Sequence, residues 1–416
     1  MARRDPAHDR RGAQRGRVRG RVGGAQLNPH AEAAAQPAAV RPLEGLTVLD
    51  LSRVLAGPYA TQLLGDLGAD VWKIERPGSG DETRSWGPPF VAGTSAYFLS
   101  VNRNKKSAAL DFDSARDQAA LRRAATEADV VVENFLPGDL ERIGLDAAHL
   151  RRARPELVTC SITGYGQDGP YAALPGYDAV LQGFTGLMSV TGETQGPALK
   201  VGVALIDVLT GAHAAAAILA ALVGRLRGRG GAALDVALFE VGVASMVNVS
   251  AAALATGEPA RRHGNAHPHI VPYQTFEAAD GALVIAVGND AQWSRLCAAL
   301  GLEALGADAA LGANPGRVAA RARVVGAIAE RLATRPRDAW LERLRAARVP
   351  AGPVREMHEV VRDPALRMRG FVRAAAGADG GESFALPWRI DAARPPLGLA
   401  PPGLGEHTAE FLQRFG

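Results

Sequence analysis

The sequence predicts an α/β fold with a large doubly wound parallel sheet and a smaller α+β domain. Three observations support this prediction. Short segments rich in β-branched residues alternate with helical segments from residue 43 onward. These strand candidates are apolar throughout, as in parallel sheets that helices cover on both faces. After Gly231 the pattern changes to a hairpin followed by helices, which indicates the second domain.

A βαβ unit opens the alternating region. Residues 46–51 (LTVLDL) predict a strand, residues 59–67 a helix and residues 70–75 (DVWKIE) the next strand. Pro58 stands near the first helical turn, where its missing N–H group costs nothing. The same pattern predicts later strands at 107–112, 129–133 and 157–162, with helices at 114–127 and 139–153. Ligands of such sheets bind at the carboxyl ends of the strands, and the loops that lie there are 52–58, 76–81 and 134–138.

The remainder of the chain has a different pattern of predicted strands and helices. We expect a strand at 234–238, a helix at 244–255, a hairpin formed by 273–276 and 283–287, and helices at 291–301 and 316–347. The predicted organisation is a disordered basic extension over residues 1–41, a large domain over 42–226, a small domain over 227–348, and a C-terminal segment, 349–416, that returns to the large domain.

Charge and composition exclude several functional classes. The formal net charge is +4, but residues 1–40 hold eight Arg against three acidic residues, so the other 376 residues carry about −1 (39 basic minus 40 acidic). A nearly neutral body without a basic stripe does not indicate nucleic-acid binding. Cys160 and Cys297 are too few for a disulfide framework, which favours a reducing compartment. The apolar run 204–224 contains Asp207 and His213, so we expect a buried helix and a cytoplasmic protein without a membrane partner.

Asp207 is the candidate nucleophile. It precedes a segment rich in Ala and Leu, residues 208–226, which is a strong helix former. We therefore predict that Asp207 is the N-cap, where free N–H groups and the helix dipole lower the pKa of a carboxylate. A carboxylate that stays ionised is available for nucleophilic attack. From this segment alone, a purely structural cap is the simpler interpretation.

Other residues indicate a nucleotide-containing ligand. The first βα loop, RVLAGP, lacks the glycine pattern of dinucleotide-binding proteins, which argues against a nicotinamide or flavin cofactor. Arg76 follows the second strand, and the turn 102–106 (NRNKK) holds three cations that would suit phosphate groups. A solvated basic turn is the alternative for NRNKK. Asn134 and Phe135 offer an amide and a ring, a pair suited to adenine or to a pantetheine arm.

Ordered motifs extend over most of the chain. They are SRVLAGPYATQLLGDLGADVWKIERPG, NRNKKS, ADVVVENFLPGDLERIGLD, SITGYGQDGPY, PGYDAVLQGFTG, GVALIDVLTG and HGNAHPHIVPYQTF. With them the chain, over about residues 42–412, resembles the class III coenzyme A transferases, the formyl-CoA-transferase-like family. It is most similar to the succinate–hydroxymethylglutarate (glutarate) branch of that family.

The resemblance implies both a mechanism and a site. Asp207 matches the family nucleophile, which forms an aspartyl–acyl anhydride and then an aspartyl-CoA thioester, without a metal or a cofactor other than the CoA thioester substrate. The expected donor is succinyl-CoA and the expected acceptor a dicarboxylate such as glutarate. The resemblance also implies a Rossmann-like CoA-binding domain and an interlocked homodimer. The positions that match family CoA contacts are Val54, Ala56, Arg76, Leu110, Asn134, Phe135 and Arg142.

Two further positions bear on the type of reaction. Racemases of the superfamily use a histidine and a downstream aspartate, and here these positions hold Tyr165 and Asp178. A tyrosine with a pKa near 10 is a poor base at neutral pH, which disfavours an α-methylacyl-CoA racemase or isomerase. Asp178 either orients the acceptor or an intermediate, or hydrogen-bonds the GYGQ loop. The presence of both Asp207 and Asp178 argues against a non-catalytic acyl-CoA-binding protein.

The Gly/His-rich loop is the last candidate. It carries His263, His267 and His269, but no cysteine or carboxylate follows the spacing of a metal site, so we expect no metal there. By the resemblance, His267 lies on a loop that approaches the active site. We therefore expect His267 to shield the site or to contact substrate.

Overall fold

A computed structural model describes residues 40–375 and 381–416. The extension predicted to be disordered, 1–41, lies outside these residues except for its last two. The strands, in chain order, are β1 (Thr47–Asp50), β2 (Asp70–Glu75), β3 (Phe90–Val91), β4 (Thr94–Ser95), β5 (Lys105–Ala109), β6 (Val130–Glu133), β7 (Val158–Thr163), β8 (Ala233–Ala237), β9 (Tyr273–Glu277), β10 (Ala282–Ala286), β11 (Ala351–Pro353), β12 (Val372–Ala374) and β13 (Glu382–Phe384).

Helices connect these strands, with short 3-10 turns at Glu82–Ser85, Glu141–Ile143 and Ala309–Leu311. The α-helices, in chain order, are α1 (Ala56–Asp66), α2 (Ala96–Val101), α3 (Ala115–Glu127), α4 (Ala147–Ala153), α5 (Asp178–Phe184), α6 (Leu187–Val190), α7 (Leu205–Leu226), α8 (Leu238–Ser245), α9 (Asn248–Thr256), α10 (Asp290–Leu300), α11 (Glu303–Gly306), α12 (Asn314–Ala319), α13 (Arg321–Leu332), α14 (Arg337–Ala346), α15 (Met357–Val360), α16 (Pro364–Met368) and α17 (Thr408–Phe415).

The central sheet has six parallel strands in the order β5-β2-β1-β6-β7-β8. Along the chain this is the order 3-2-1-4-5-6 of a doubly wound fold, with its switch point between β1 and β6. The predicted α/β class and the parallel sheet are thereby confirmed. One boundary is corrected, because β8 lies in the range assigned to the small domain, 227–348, and yet forms the sixth strand beside β7.

Both faces of the sheet are covered, so apolar side chains of its strands are buried on each side. On one face, Val48, Val71 and Val132 share a core with residues of α1 and α7. On the other face, Leu49 and Trp72 share a core with α3, α4 and α17. These alternate positions along the strands point to opposite faces, as a period of two requires.

A third core lies in the later part of the chain. The antiparallel strands β9 and β10 form the predicted hairpin, and β11 pairs with the other edge of β10. Trp293 of α10 and Trp340 of α14 are buried against this small sheet. The single helix predicted at 316–347 is three helices, α12, α13 and α14. Pro336 lies in the break between α13 and α14 and is the N-cap of α14, since proline cannot continue a helix.

The C-terminal helix α17 covers the β5 edge of the central sheet. The backbone N–H of His407 donates to the carbonyl of Ser107 at 2.8 Å, and the Ala109 N–H donates to the Thr408 hydroxyl at 2.9 Å. Phe411 and Phe415 contact Trp72 edge-on, with ring centroids 5.4 and 6.1 Å away. Helix α17 thus covers the β5 edge of the parallel sheet, which would otherwise be open to pairing with another strand.

By length and composition, α7 is apolar enough to cross a membrane, and the bent pair α8–α9 passes the same test if it is counted as one span. A core helix of a globular protein has the same character. The buried residues of α7, among them Ala214 and Ile218, pack in the core shared with α1.

Candidate active site

The first turn of α7 carries the candidate nucleophile. The helix begins at Leu205, and Ala204 precedes it without a side-chain hydrogen bond to the free N–H groups. Asp207 is the third helical residue and is half-buried. The prediction that Asp207 is the N-cap is therefore wrong, because the helix starts three residues earlier than the apolar pattern indicated.

Asp178, from the start of α5, caps α7 in place of a local residue. Its Oδ1 accepts hydrogen bonds from the N–H groups of Ile206 at 2.8 Å and of Asp207 at 3.2 Å. Its Oδ2 accepts from Nε2 of Gln182 at 2.6 Å. The hydrogen bonds of Asp178 go to α5 and α7 and not to the GYGQ loop, where the N–H of Gln167 donates to Asp235 at 2.8 Å.

The electrostatic environment of Asp207 also differs from the prediction. Burial, followed by the nearby charge of Asp178, raises the pKa of Asp207 to about 7. The expected lowering by the helix dipole is wrong, because Asp178 already occupies the N–H groups that would stabilise the charge of Asp207. Near neutral pH, Asp207 is therefore a mixture of carboxylate and carboxylic acid.

This pKa predicts a pH dependence of catalysis. Because only the carboxylate can attack, kcat/KM for the acyl-CoA donor should fall as pH drops through about 7. Asp178→Asn removes the neighbouring charge, so the fall should move to lower pH. The measurement is kcat/KM between pH 5 and pH 9 for both proteins. A profile that is flat from pH 5 to pH 8 in the wild type would contradict the assignment.

The same pKa has a consequence for stability. A carboxyl group whose folded pKa is raised stabilises the fold fully below its unfolded pKa of 3.8, and this contribution is lost as pH rises through about 7. Asp207→Asn should therefore be more stable than the wild type at pH 8, by about 1–3 kcal/mol, with the difference vanishing near pH 4. Urea unfolding at both pH values provides the control for the activity profile.

Tyr97 is influenced by the charge of Asp207 and contacts a residue that lines a large cleft. Burial raises the pKa of Tyr97 to about 12, with further contributions from the charges of Asp207 and Asp178. The Tyr97 ring contacts the ring of Trp86 edge-on, with centroids 5.5 Å apart. Trp86 lines the cleft, so Tyr97 is next to a residue of the cleft and is also within electrostatic reach of both carboxylates.

The cleft lies at the carboxyl ends of β1, β2, β5 and β6, beside the switch point of the sheet. It has a volume of about 570 Å³. Four of the seven predicted CoA contacts line it, namely Arg76, Leu110, Phe135 and Arg142. Arg76 is exposed, Arg142 pairs with Asp113 at 3.1 Å, and Phe135 stacks on Phe112 at 5.8 Å.

The other three predicted contacts build the wall of the cleft without lining it. Asn134 accepts from the N–H of Arg53 at 2.9 Å and donates to the Arg53 carbonyl at 2.7 Å. Val54 has a φ of 69°, a left-handed conformation that is unfavourable for a β-branched residue. The Val54 N–H donates to Asp81 at 3.2 Å, which holds this conformation. Ala56 is buried as the first residue of α1.

A buried ion pair holds together the loops that form the cleft. Lys73 donates to Asp81 at 2.9 Å and to the Ser52 carbonyl at 2.9 Å, and both charged side chains are fully buried. Burial opposes the charge of Lys73, but Asp81, Asp50 and Glu75 outweigh it and raise the pKa of Lys73. These bonds join the loop after β1 to the turn after β2.

The cations of NRNKK do not form a phosphate site. Lys105 is fully buried and pairs with Asp50 at 3.0 Å, and Arg103 pairs with buried Asp66. Lys106 lies over the ring of Trp72, 4.6 Å from its centroid. Both interpretations of this segment are wrong, because β5 begins at Lys105 and the strand turns the two lysines to opposite faces.

Tyr165 and His267 lie among aromatic neighbours. The Tyr165 ring contacts those of Phe184 at 5.1 Å and Tyr171 at 5.8 Å. The His267 ring stacks on Tyr273 at 5.3 Å, and burial with nearby positive charge lowers its pKa. Within residues 40–375 and 381–416, no group of His, Cys, Asp and Glu could hold a metal ion. The roles predicted for Tyr165 and His267 stay predictions.

The sequence reasoning missed Tyr97 and Gln182. Tyr97 lies two residues after Ser95, whose side chain caps α2 by accepting from the Phe98 N–H at 3.1 Å. The serine is a signal for the start of a helix, but it does not indicate a functional role for Tyr97. Gln182 lies four residues after Asp178, a spacing that places both side chains on one face of a helix. That spacing could have drawn attention to the pair.

Residues 43–408 match the family model CoA-transferase family III, so the chain belongs to this family and is a CoA-transferase. It is 43% identical over 380 residues to the succinate–glutarate CoA-transferase of Agrobacterium fabrum, covering 89% of this chain and 95% of that protein. It is 39% identical over 382 residues to the succinyl-CoA:glutarate CoA-transferase of Homo sapiens, covering 90% and 86%. The crystal structure of a CaiB/BaiF family protein from Brucella suis matches with a TM-score of 0.81 and 42% identity, covering 90% and 99%.

Proposed function

We propose that this CoA-transferase moves CoA from succinyl-CoA to glutarate through covalent intermediates on Asp207. The observation that carries the proposal is the position of Asp207 in the first turn of α7, where its charge acts on Tyr97. Tyr97 contacts Trp86, which lines the cleft together with four of the seven matching CoA contacts. The substrate pair follows from the names of the two relatives with 43% and 39% identity.

CoA would lie along the cleft with its thioester toward Trp86 and Tyr97. The guanidinium groups of Arg76 and Arg142 are suited to phosphate groups, because their planar forks donate two parallel hydrogen bonds. Phe135, with the Arg53 guanidinium 5.3 Å from its ring centroid, offers a stacking surface for adenine. The buried Lys73–Asp81 pair would keep these loops in place during turnover.

The reaction would proceed by four acyl transfers. The Asp207 carboxylate attacks the succinyl thioester carbon, which forms a mixed anhydride and releases the CoA thiolate. The thiolate attacks the Asp207 acyl carbon of the anhydride, which releases succinate and leaves an aspartyl-CoA thioester. Glutarate attacks that thioester to form a second anhydride and free the thiolate again. The thiolate then attacks the glutaryl carbon, which gives glutaryl-CoA and restores the Asp207 carboxylate.

The environment of Asp207 suits this sequence. A half-buried carboxylate with a pKa of about 7 is less strongly stabilised by water than an exposed one, which favours its attack on a thioester. Burial also limits the access of water to the anhydride, which water would hydrolyse. Each intermediate is an activated acyl group of energy near that of a thioester, so the four steps need no external energy source.

The substrate proposal predicts a ranked acceptor panel. With succinyl-CoA as the donor, glutarate should give the highest kcat/KM, ahead of oxalate and mesaconate, as read by mass spectrometry of the CoA thioesters. Incubated with a 2-methylacyl-CoA in heavy water, the enzyme should exchange no α-proton, because Tyr165 is packed among aromatic rings and is a poor base. Rapid α-deuteration without transfer would instead favour a racemase.

We also propose that the active enzyme is a homodimer with interlocked chains. Large apolar side chains are exposed at both ends of α7 and on α9, including Val203 at 60%, Leu226 at 84% and Leu254 at 90%. Burial of such side chains in a subunit interface would remove their apolar surface from water. Sedimentation velocity at micromolar concentration should give a dimer of twice the 43.4 kDa chain mass. A stable monomer would contradict the proposal.

A further inference from the structure

Gln182 is fully buried between α5 and the segment that leads into α7. Its Nε2 group donates to Oδ2 of Asp178 at 2.6 Å and to the carbonyl of Val203 at 3.1 Å. Its Oε1 accepts from the N–H of Val201 at 2.7 Å. The amide therefore joins one side chain of α5 to both ends of the segment 201–203.

This pattern permits one orientation of the amide. The two groups that face Nε2 are a carboxylate and a carbonyl, which only accept, and the group that faces Oε1 is an N–H, which only donates. A flipped amide would oppose donor to donor and acceptor to acceptor. The fully buried side chain is therefore fixed by three directional bonds.

The orientation of Asp178 depends on this amide. Gln182 holds one carboxylate oxygen of Asp178, and the other oxygen accepts from the N–H groups of Ile206 and Asp207. The first turn of α7 has no cap of its own at Ala204. Gln182 therefore acts on the first turn of α7 in two ways. It bonds Val201 and Val203 in the segment that leads into this turn, and it orients Asp178, which bonds the turn itself.

We propose that Gln182 is a positioning residue that fixes the first turn of α7, and with it the carboxylate of Asp207, for attack on the thioester. The inference rests on the proposed role of Asp207 and adds a residue that does not touch substrate. Attack requires the carboxylate oxygen about 3–3.5 Å from the acyl carbon, and a misplacement of about 1 Å costs about 10²-fold in rate.

The test compares two buried glutamines. Gln182→Met keeps the length of the side chain and removes its three hydrogen bonds. Gln62→Met is the matched control, because Gln62 is also buried and bridges the Ser100 carbonyl and the Arg103 N–H, both at 3.1 Å, without a hydrogen bond to residues 178–207. Melting temperature, kcat and KM for succinyl-CoA are measured on all three proteins.

Gln182→Met should lower kcat by about 10- to 100-fold while KM for succinyl-CoA changes less than about threefold. Gln62→Met should lower the melting temperature by a similar amount to Gln182→Met and keep kcat within about threefold of the wild type. The rate at which hydroxylamine converts Asp207 to its hydroxamate in a single turnover should fall in parallel with kcat in Gln182→Met only. If Gln182→Met does not fold, Gln182→Glu replaces it in the test. The glutamate keeps an acceptor for the Val201 N–H but places a second carboxylate against that of Asp178. The same loss of kcat is expected.

A folded Gln182 variant with kcat within threefold of the wild type would overturn the inference, and so would equal losses of kcat in the Gln182 and Gln62 variants. Neither result would affect the role of Asp207, which depends on the Asp207 variants alone. Activity that persisted in Asp207→Ala would instead remove the proposed mechanism, whatever the Gln182 variants did.

Discussion

Asp207→Ala should reduce CoA transfer by at least about 10³-fold, because it removes the group that forms both covalent intermediates. Asp207→Asn should be equally inactive, since an amide keeps the shape of the side chain but is not a nucleophile. Asp207→Glu should lose about 10²-fold or more, because the extra methylene displaces the reacting oxygen by more than 1 Å. Initial rates of glutaryl-CoA formation from succinyl-CoA and glutarate provide the measurement.

Binding serves as the control for these variants. The cleft residues Arg76, Phe135 and Arg142 are unchanged in them, so the dissociation constant for free CoA should stay within about threefold of the wild-type value. Loss of transfer with retained binding would separate a chemical defect from a folding defect. An Asp207→Ala protein that kept more than about a hundredth of the wild-type transfer activity would show that another residue is the nucleophile.

Asp50→Ala should have the largest effect on stability, a loss of about 3–5 kcal/mol in the free energy of unfolding. Asp50 is fully buried at the end of β1 and accepts from the Ser52 N–H at 3.0 Å, the Thr61 hydroxyl at 2.6 Å and Lys105 at 3.0 Å. Its removal leaves the ammonium of Lys105 buried without a carboxylate. Burial has already lowered the pKa of Lys105 to about 8, so this charge depends on its partner.

The double variant separates the ion pair from the space that it fills. Asp50→Ala combined with Lys105→Met should lose less stability than the sum of the two single variants, because no uncompensated charge remains. Urea denaturation at one fixed protein concentration gives the free energies of unfolding of the wild type and the three variants. A loss below about 1 kcal/mol in Asp50→Ala would mean that the pair contributes little.

The sequence was sufficient to predict the central sheet. The segment DVWKIE was predicted as a strand with the bounds that β2 has, because Val71, Trp72 and Ile74 favour strands and the breakers Gly68 and Pro77 lie close to its two ends. The motif matches also brought Arg76, Leu110, Phe135 and Arg142 to a single cleft. Local patterns succeed here because each strand end follows from its own neighbours in the chain.

The electrostatics could not be predicted in the same way. Lys105 and Asp50 are 55 residues apart, and Asp178 and Asp207 are 29 residues apart, so neither pair is visible before the strands and helices are assembled. From the sequence alone, Asp207 was predicted to lie near free N–H groups and the positive end of the helix dipole. The fold gives those N–H groups to Asp178 and adds a second negative charge, which reverses the direction of the pKa shift.

Isotope transfer tests the covalent mechanism most directly. Glutarate labelled with ¹⁸O in its carboxylates is incubated with the enzyme and succinyl-CoA, and the peptide that contains Asp207 is analysed by mass spectrometry. The bridging oxygen of the second anhydride comes from glutarate and leaves with the aspartyl group, so one ¹⁸O atom should enter Asp207 and none should enter Asp178. Glutaryl-CoA formation without label in Asp207 would contradict the mechanism, because direct transfer between the two acids never places an acceptor oxygen on the enzyme.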